Sequence, residues 1–175
     1  VALPKNGQEQ PMISRTNKNL AALTAAGLVG AAALAGGRYG PTPAHPRTAA
    51  WYAKLQKPSF TPPGPVFGAA WTVLDALLWY SGYRLLSRRT TPGSGAAATM
   101  WGLTVLGVGG FSWVLFGRKR LDAALGVNAG MVATSLALVA TAARVDQRAA
   151  LAATPVAAWI AFAFLLQEEV WRRNG

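Results

Sequence analysis

Five apolar blocks, each long enough to cross the roughly 30 Å hydrocarbon core of a bilayer, constrain this chain more than any other feature. They run from Leu20 to Gly37, Val66 to Leu86, Ala96 to Phe116, Leu121 to Ala143 and Ala149 to Trp171. Their separators are basic or turn-forming: Arg88-Arg89-Thr90-Thr91-Pro92-Gly93-Ser94-Gly95, then Arg118-Lys119-Arg120, then Arg144 to Arg148. A segment in hydrocarbon must satisfy its own backbone hydrogen bonds, and these blocks lack the two-residue alternation of barrel strands, so each is expected to be a helix. Short connections make sequential helices antiparallel neighbours. The expectation is an all-α membrane protein with a single five-helix transmembrane domain over residues 20–174. Its spans are about 20–37, 66–86, 96–116, 121–143 and 149–171, with a Pro/aromatic-rich lid loop at 38–65 and a disordered polar tail at 1–19.

Composition narrows the function. Only 13% of the residues are charged, about half the share in an average soluble domain. The 17 Lys+Arg outnumber the 6 Asp+Glu, giving a net charge of +11, but they sit between apolar blocks and form no stripe, so no nucleic-acid partner is expected. Without cysteine there is no disulfide scaffold, thiolate metal site or Cys nucleophile. No P-loop, dinucleotide fingerprint, zinc spacing or Ser/His/Asp set occurs, so no metal and no required cofactor are expected. The basic residues divide evenly between the two sides of the bundle, so the positive-inside rule gives no orientation.

The first block also has the form of a cleavable signal peptide, with Arg15 and Lys18 ahead of an Ala/Gly-rich stretch ending in Ala33-Leu34-Ala35. Small residues let helix backbones approach closely in lipid. The Gly126-x-x-x-Gly130 pair therefore reads either as packing between spans or as a dimer seam.

The most unusual segment is Trp51-Tyr52-Ala53-Lys54-Leu55-Gln56-Lys57-Pro58-Ser59-Phe60-Thr61-Pro62-Pro63. Prolines at this density fix φ and restrict the preceding residues, which predicts a rigid extended lid. Trp51, Tyr52, Leu55, Lys57, Pro58, Phe60, Pro62 and Pro63 meet the pattern Trp-Tyr-x-x-Leu-x-Lys-Pro-x-Trp/Phe-x-Pro-Pro without a gap, and the match continues through Phe67, Trp71 and Leu74. Agreement resumes at Phe116-Gly117 and at Pro155, Ala158, Trp159, Phe162, Ala163, Leu166, Val170, Trp171 and Arg172. In these motifs the chain resembles the TspO/translocator protein family. The resemblance covers roughly residues 20–174. It implies a TspO-like bundle, often a homodimer, that binds porphyrins and related hydrophobic molecules in the membrane.

The departures from the pattern fall in the spans. Asp75 stands where the family has Tyr, Val108 and Phe111 where it has Asn and Trp, and Gln167 where it has Asn, followed by Glu168 and Glu169 in place of tyrosines. The loss of tyrosine removes a cholesterol-type pattern that is itself weak.

On the second span Trp71, Asp75 and Leu78 share a face, and on the fifth Trp159, Ala163, Leu166 and Gln167 do the same. Pointing inward, these faces would form an apolar chamber walled by two indoles, with Phe67 and Phe111 as further ligand contacts and residues Trp51, Tyr52, Lys57, Pro58, Pro62 and Pro63 as its lid. A carboxylate in mid-span costs on the order of 3 kcal/mol. Asp75 therefore either receives a polar ligand group or hydrogen-bonds a neighbouring helix, for which Asn128 is the candidate partner. His45, the one histidine, lies in the first loop and is expected to be solvated rather than a haem ligand.

The leading expectation is an integral membrane tetrapyrrole-binding protein with porphyrin or haem as ligand. A porphyrin-degrading photo-oxidative enzyme and a transporter or stress-response regulator of porphyrin export are the alternatives, so catalysis stays open. The high Ala/Gly/Arg usage favours a bacterial cell membrane over the mitochondrial outer membrane.

Overall fold

A computed structural model describes residues 9–175, with side chains from residue 15 onward. Six α-helices follow one another, and no strand occurs among the described residues. They are α1 (Glu9–Tyr39), α2 (Pro46–Lys54), α3 (Gly64–Leu86), α4 (Ser94–Ser112), α5 (Leu121–Val145) and α6 (Gln147–Asn174), and a π-helical turn, Trp113–Gly117, prolongs α4. Four of them, Arg15–Tyr39, Ser94–Gly117, Leu121–Val145 and Gln147–Asn174, are long and apolar enough to cross a bilayer. α3 has the length, but Asp75, Ser81 and Arg84 interrupt its apolar run.

The long helices close into a ring in the order α1, α3, α6, α5, α4, with α3 also touching α4 across it. Small residues set the close approaches. A Cβ at Gly82 of α3 would overlap the indole of Trp101, which is 2% exposed and donates its Nε1–H to the Leu78 carbonyl at 2.9 Å. Gly107 of α4 gives the same room to Met131 of α5, and Gly109 to Ala32 of α1. α1 is further tied in by Trp79, whose indole donates to the Ala22 carbonyl at 3.1 Å. Leu78, Leu85, Leu138, Val156 and Ile160 fill the centre.

One end of the ring is locked by charge. Asp146 caps α6, accepting from the Arg148 and Ala149 amides at 2.9 and 3.1 Å. Its carboxylate also pairs with Arg84 at 2.7 Å and with Arg88, so the α3–α4 and α5–α6 corners are joined. Burial pushes the Asp146 carboxyl up, but the hydrogen bonds from Arg84 and the Ala149 amide and the two guanidinium charges outweigh it and hold the group below its ordinary range.

The structure differs from the sequence expectation in three places. α1 is already helical from Glu9, within the segment read as a tail, because about three polar turns can extend a span that hydropathy sees only from Leu20; residues 1–8 lie outside the described residues. The lid is not extended throughout. Pro46 fits the first helical turn, where no amide donor is needed, and Ala49, Ala50 and Ala53 favour helix until Leu55 turns extended ahead of Pro58. Gly126 and Gly130 do not pack between spans: nothing stands within 4 Å of a Cβ at either, and both lie exposed on the outer face of α5.

Candidate functional site: the groove between α3 and α6

α3 and α6 leave between them a groove of about 420 Å³. Ala70, Val73, Leu74 and Leu77 line it from α3, and Pro155, Ala158, Trp159 and Phe162 from α6. Both sets follow the same i, i+3, i+4, i+7 spacing, which is one stripe of a helix. Val73 is 60% exposed, so the groove opens outward from the bundle. Trp159 contributes ring surface to this wall, and its indole Nε1 is buried behind it without a hydrogen-bond partner among the described residues. Leaving such a donor unpaired costs about 1–3 kcal/mol. Phe67 stands edge-on to Trp159 with centroids 5.5 Å apart, and Phe162 lies 5.4 Å from the same indole.

The lid covers one end of this aromatic row. Phe60 rests edge-on against Phe162 at 6.3 Å. Tyr52 of α2 packs edge-on against Phe116 at 5.5 Å, and burial pushes its phenol above the ordinary value. Lys57 donates to the Tyr52 and Leu55 carbonyls at 2.6 and 3.1 Å and lies 4.6 Å from the Tyr52 ring centre, so its charge organises the end of α2. Lys119 approaches the Trp51 ring at 5.8 Å. Pro58 is buried and accepts the Thr61 hydroxyl at 2.7 Å, Pro62 is half-buried, and Pro63 precedes the first turn of α3. His45 precedes α2 with its Nδ1 at 3.1 Å from the Thr42 hydroxyl.

The residues expected to form one chamber are divided between two surfaces. Trp159 lines the groove and Phe67 packs against its ring, whereas neither Phe67 nor Trp71 lines the groove. Trp71 shares its face with Asp75, Leu78 and Gly82, and that face meets Trp101 of α4. Leu78 is 1% exposed in the core, Asp75 is half-buried, and Asn128, offered as its partner, has no partner for either amide atom among the described residues. Phe111 and Ala163 are half-buried, and Leu166 is buried. Gln167 is engaged elsewhere, donating to the Leu121 carbonyl at 3.2 Å and so tying α6 to the first turn of α5. Glu168 and Glu169 pair with Arg172 and Arg173, and Asp122 with Arg120. The sequence reading did not place Ala70, Val73, Leu74, Leu77, Pro155, Ala158 or Phe162 in the pocket, although Leu74, Pro155, Ala158 and Phe162 lie in the matched motifs; on α3 the lining stripe is one residue round from the one chosen.

No lining residue is titratable, so the groove itself offers binding, orientation and water exclusion rather than acid or base.

Comparison with known proteins accords with this architecture. The model of the TspO/MBR family matches residues 25–172. The tryptophan-rich protein TspO of Archaeoglobus fulgidus is 32% identical over 128 residues, covering 71% of this chain and 80% of its own. The human translocator protein is 34% identical over 131 residues, 71% of this chain and 75% of its own. The tryptophan-rich protein TspO of Bacillus cereus is 31% identical over 134 residues, with 71% and 80% covered. An all-helical bundle with four strongly apolar spans, matched to that family over most of its length, is an integral membrane protein, and the chain belongs to the TspO/MBR family.

Proposed function

We propose that the chain crosses the membrane five times and holds a tetrapyrrole of porphyrin or haem type in the groove between α3 and α6, under the lid. The observation that carries this reading is the unpaired Trp159 indole N–H, buried behind an apolar wall beside two phenyl rings. A flat conjugated ring gains stacking area there, and a carbonyl or carboxylate on its edge would accept the buried N–H once the side chains covering it move aside. The volume lies in the range of small-molecule sites. Support for the fifth crossing is the course of α3. Its 23 residues span about 35 Å, from Pro63 at the lid to Arg84 beside Asp146 at the opposite end. Prokaryotic relatives and the Ala/Gly/Arg-rich sequence favour a bacterial cell membrane, and the bare Gly126 and Gly130 face suits a homodimer seam.

The test is a titration of purified protein with protoporphyrin IX, read as quenching of tryptophan fluorescence. Trp159→Phe keeps a ring but removes the N–H, and is expected to weaken affinity roughly three- to tenfold. Trp71→Phe, off the groove, should weaken it less. Wild-type affinity in Trp159→Phe would overturn the assignment. The same buried indole gives photo-oxidative breakdown a physical basis as a second reading; equal bleaching of bound and free porphyrin under light would reject it.

A further inference from the structure

Asn174, the last residue of α6, reaches the lid and meets the backbone of Gln56 twice. The Gln56 amide donates to Asn174 Oδ1 at 2.9 Å, and Asn174 Nδ2 donates to the Gln56 carbonyl at 2.9 Å. The second Nδ2 proton goes to the Val170 carbonyl at 2.8 Å, filling one of the open acceptors at the helix end. The carboxamide thus faces Gln56 as a neighbouring peptide group would. Its orientation is fixed, because exchanging O and N would set the oxygen against two carbonyls.

Among the described residues, no other hydrogen bond ties the lid segment 41–62 to a later helix. Its other attachments are ring contacts: Tyr52 on Phe116, Trp51 by Lys119, and Phe60 on Phe162. Phe60 lies only four residues beyond Gln56, with Pro58 stiffening the backbone between them. The Phe60 ring, which rests on Phe162 at one end of the groove, is therefore held in place by the pair at Gln56.

We propose that Asn174 is a positioning residue, a latch that keeps the lid closed over the groove and sets the rate at which ligand leaves. The release half of this rests on the tetrapyrrole reading; the latch itself does not. Because the contact is to backbone, the identity of the Gln56 side chain does not enter. Asn174→Ala deletes the pair, and Asn174→Asp keeps one acceptor while placing an anionic oxygen against the Gln56 and Val170 carbonyls.

The full chain in nanodiscs is followed by hydrogen exchange over residues 50–62, and protoporphyrin IX release by transfer to empty vesicles. Exchange is expected to quicken in Asn174→Ala, more so in Asn174→Asp, and to stay at the wild-type rate in Gln56→Ala. Porphyrin release should be roughly tenfold faster in Asn174→Ala, as loss of two modest hydrogen bonds allows. Wild-type lid exchange in Asn174→Ala overturns the latch. Faster exchange with unchanged release overturns its control of the ligand. A wild-type protein that takes up no porphyrin refutes the tetrapyrrole reading instead, and the exchange series still decides the latch.

Discussion

Gly82 is where one methyl group should do the most damage. In α3 it lies against the Trp101 indole so closely that an alanine Cβ would overlap the ring, and that ring is 2% exposed with its N–H committed to the Leu78 carbonyl. Gly82→Ala gains about 1 kcal/mol of helix propensity. Against this, forcing a methyl into a filled core costs about 1–3 kcal/mol, and displacing the indole from its acceptor strands a buried donor for another 1–3 kcal/mol or so. The balance is a loss of about 3 kcal/mol, which for a chain of this size lowers the thermal midpoint by about 6–12 °C. The assay is thermal unfolding in detergent, followed by tryptophan fluorescence and circular dichroism. Gly126→Ala is the companion: it lies inside α5 with nothing within 4 Å of its Cβ, so it keeps the propensity gain without a clash and should unfold at or slightly above the wild-type midpoint. A Gly82→Ala midpoint at or above wild type would refute the claim that this contact sets the α3–α4 approach.

Asp146 predicts an acid-side instability: a carboxyl held below its ordinary 3.8 stabilises the fold above that pH and ceases to do so as pH falls through its lower folded value. Asp146→Asn keeps the cap but strands Arg84 and Arg88, so it should lower the midpoint at neutral pH and flatten the loss below about pH 4, measured as midpoint against pH. Gly126→Leu with Gly130→Leu should reduce the cross-linked dimer in membranes while leaving the monomer folded, and an unchanged dimer yield would remove that face from the seam.

Much of the bundle was legible because lipid leaves a chain few options. α4, α5 and α6 begin and end within a few residues of their apolar blocks, since basic turns such as Arg118-Lys119-Arg120 cannot be drawn into hydrocarbon. α2 escaped notice because prolines on both sides of it read as breakers, although Pro46 sits where a helix tolerates one. The groove was half legible. Trp159 and Phe67 were chosen and do meet, but successive helical residues differ by about 100° in direction, and a stripe through Trp71 is hard to tell from one through Ala70. Asn174 was not legible, because its partner is a backbone group 118 residues away and leaves no trace in side-chain pattern.

α3 also decides the parity of the chain. The Gly36–Ser112 and Gly117–Tyr39 approaches place the C-terminal end of α1 beside the lid, where α6 also finishes, whereas Ala22 meets Trp79 farther toward the Asp146 corner. If α3 crosses as proposed, the odd number of traverses sends the Glu9 end and the Asn174 end to opposite faces of the bilayer, whereas a tally by apolarity alone, passing over α3, would bring them to the same face. Impermeant labels directed at each end of sealed vesicles would see one and miss the other.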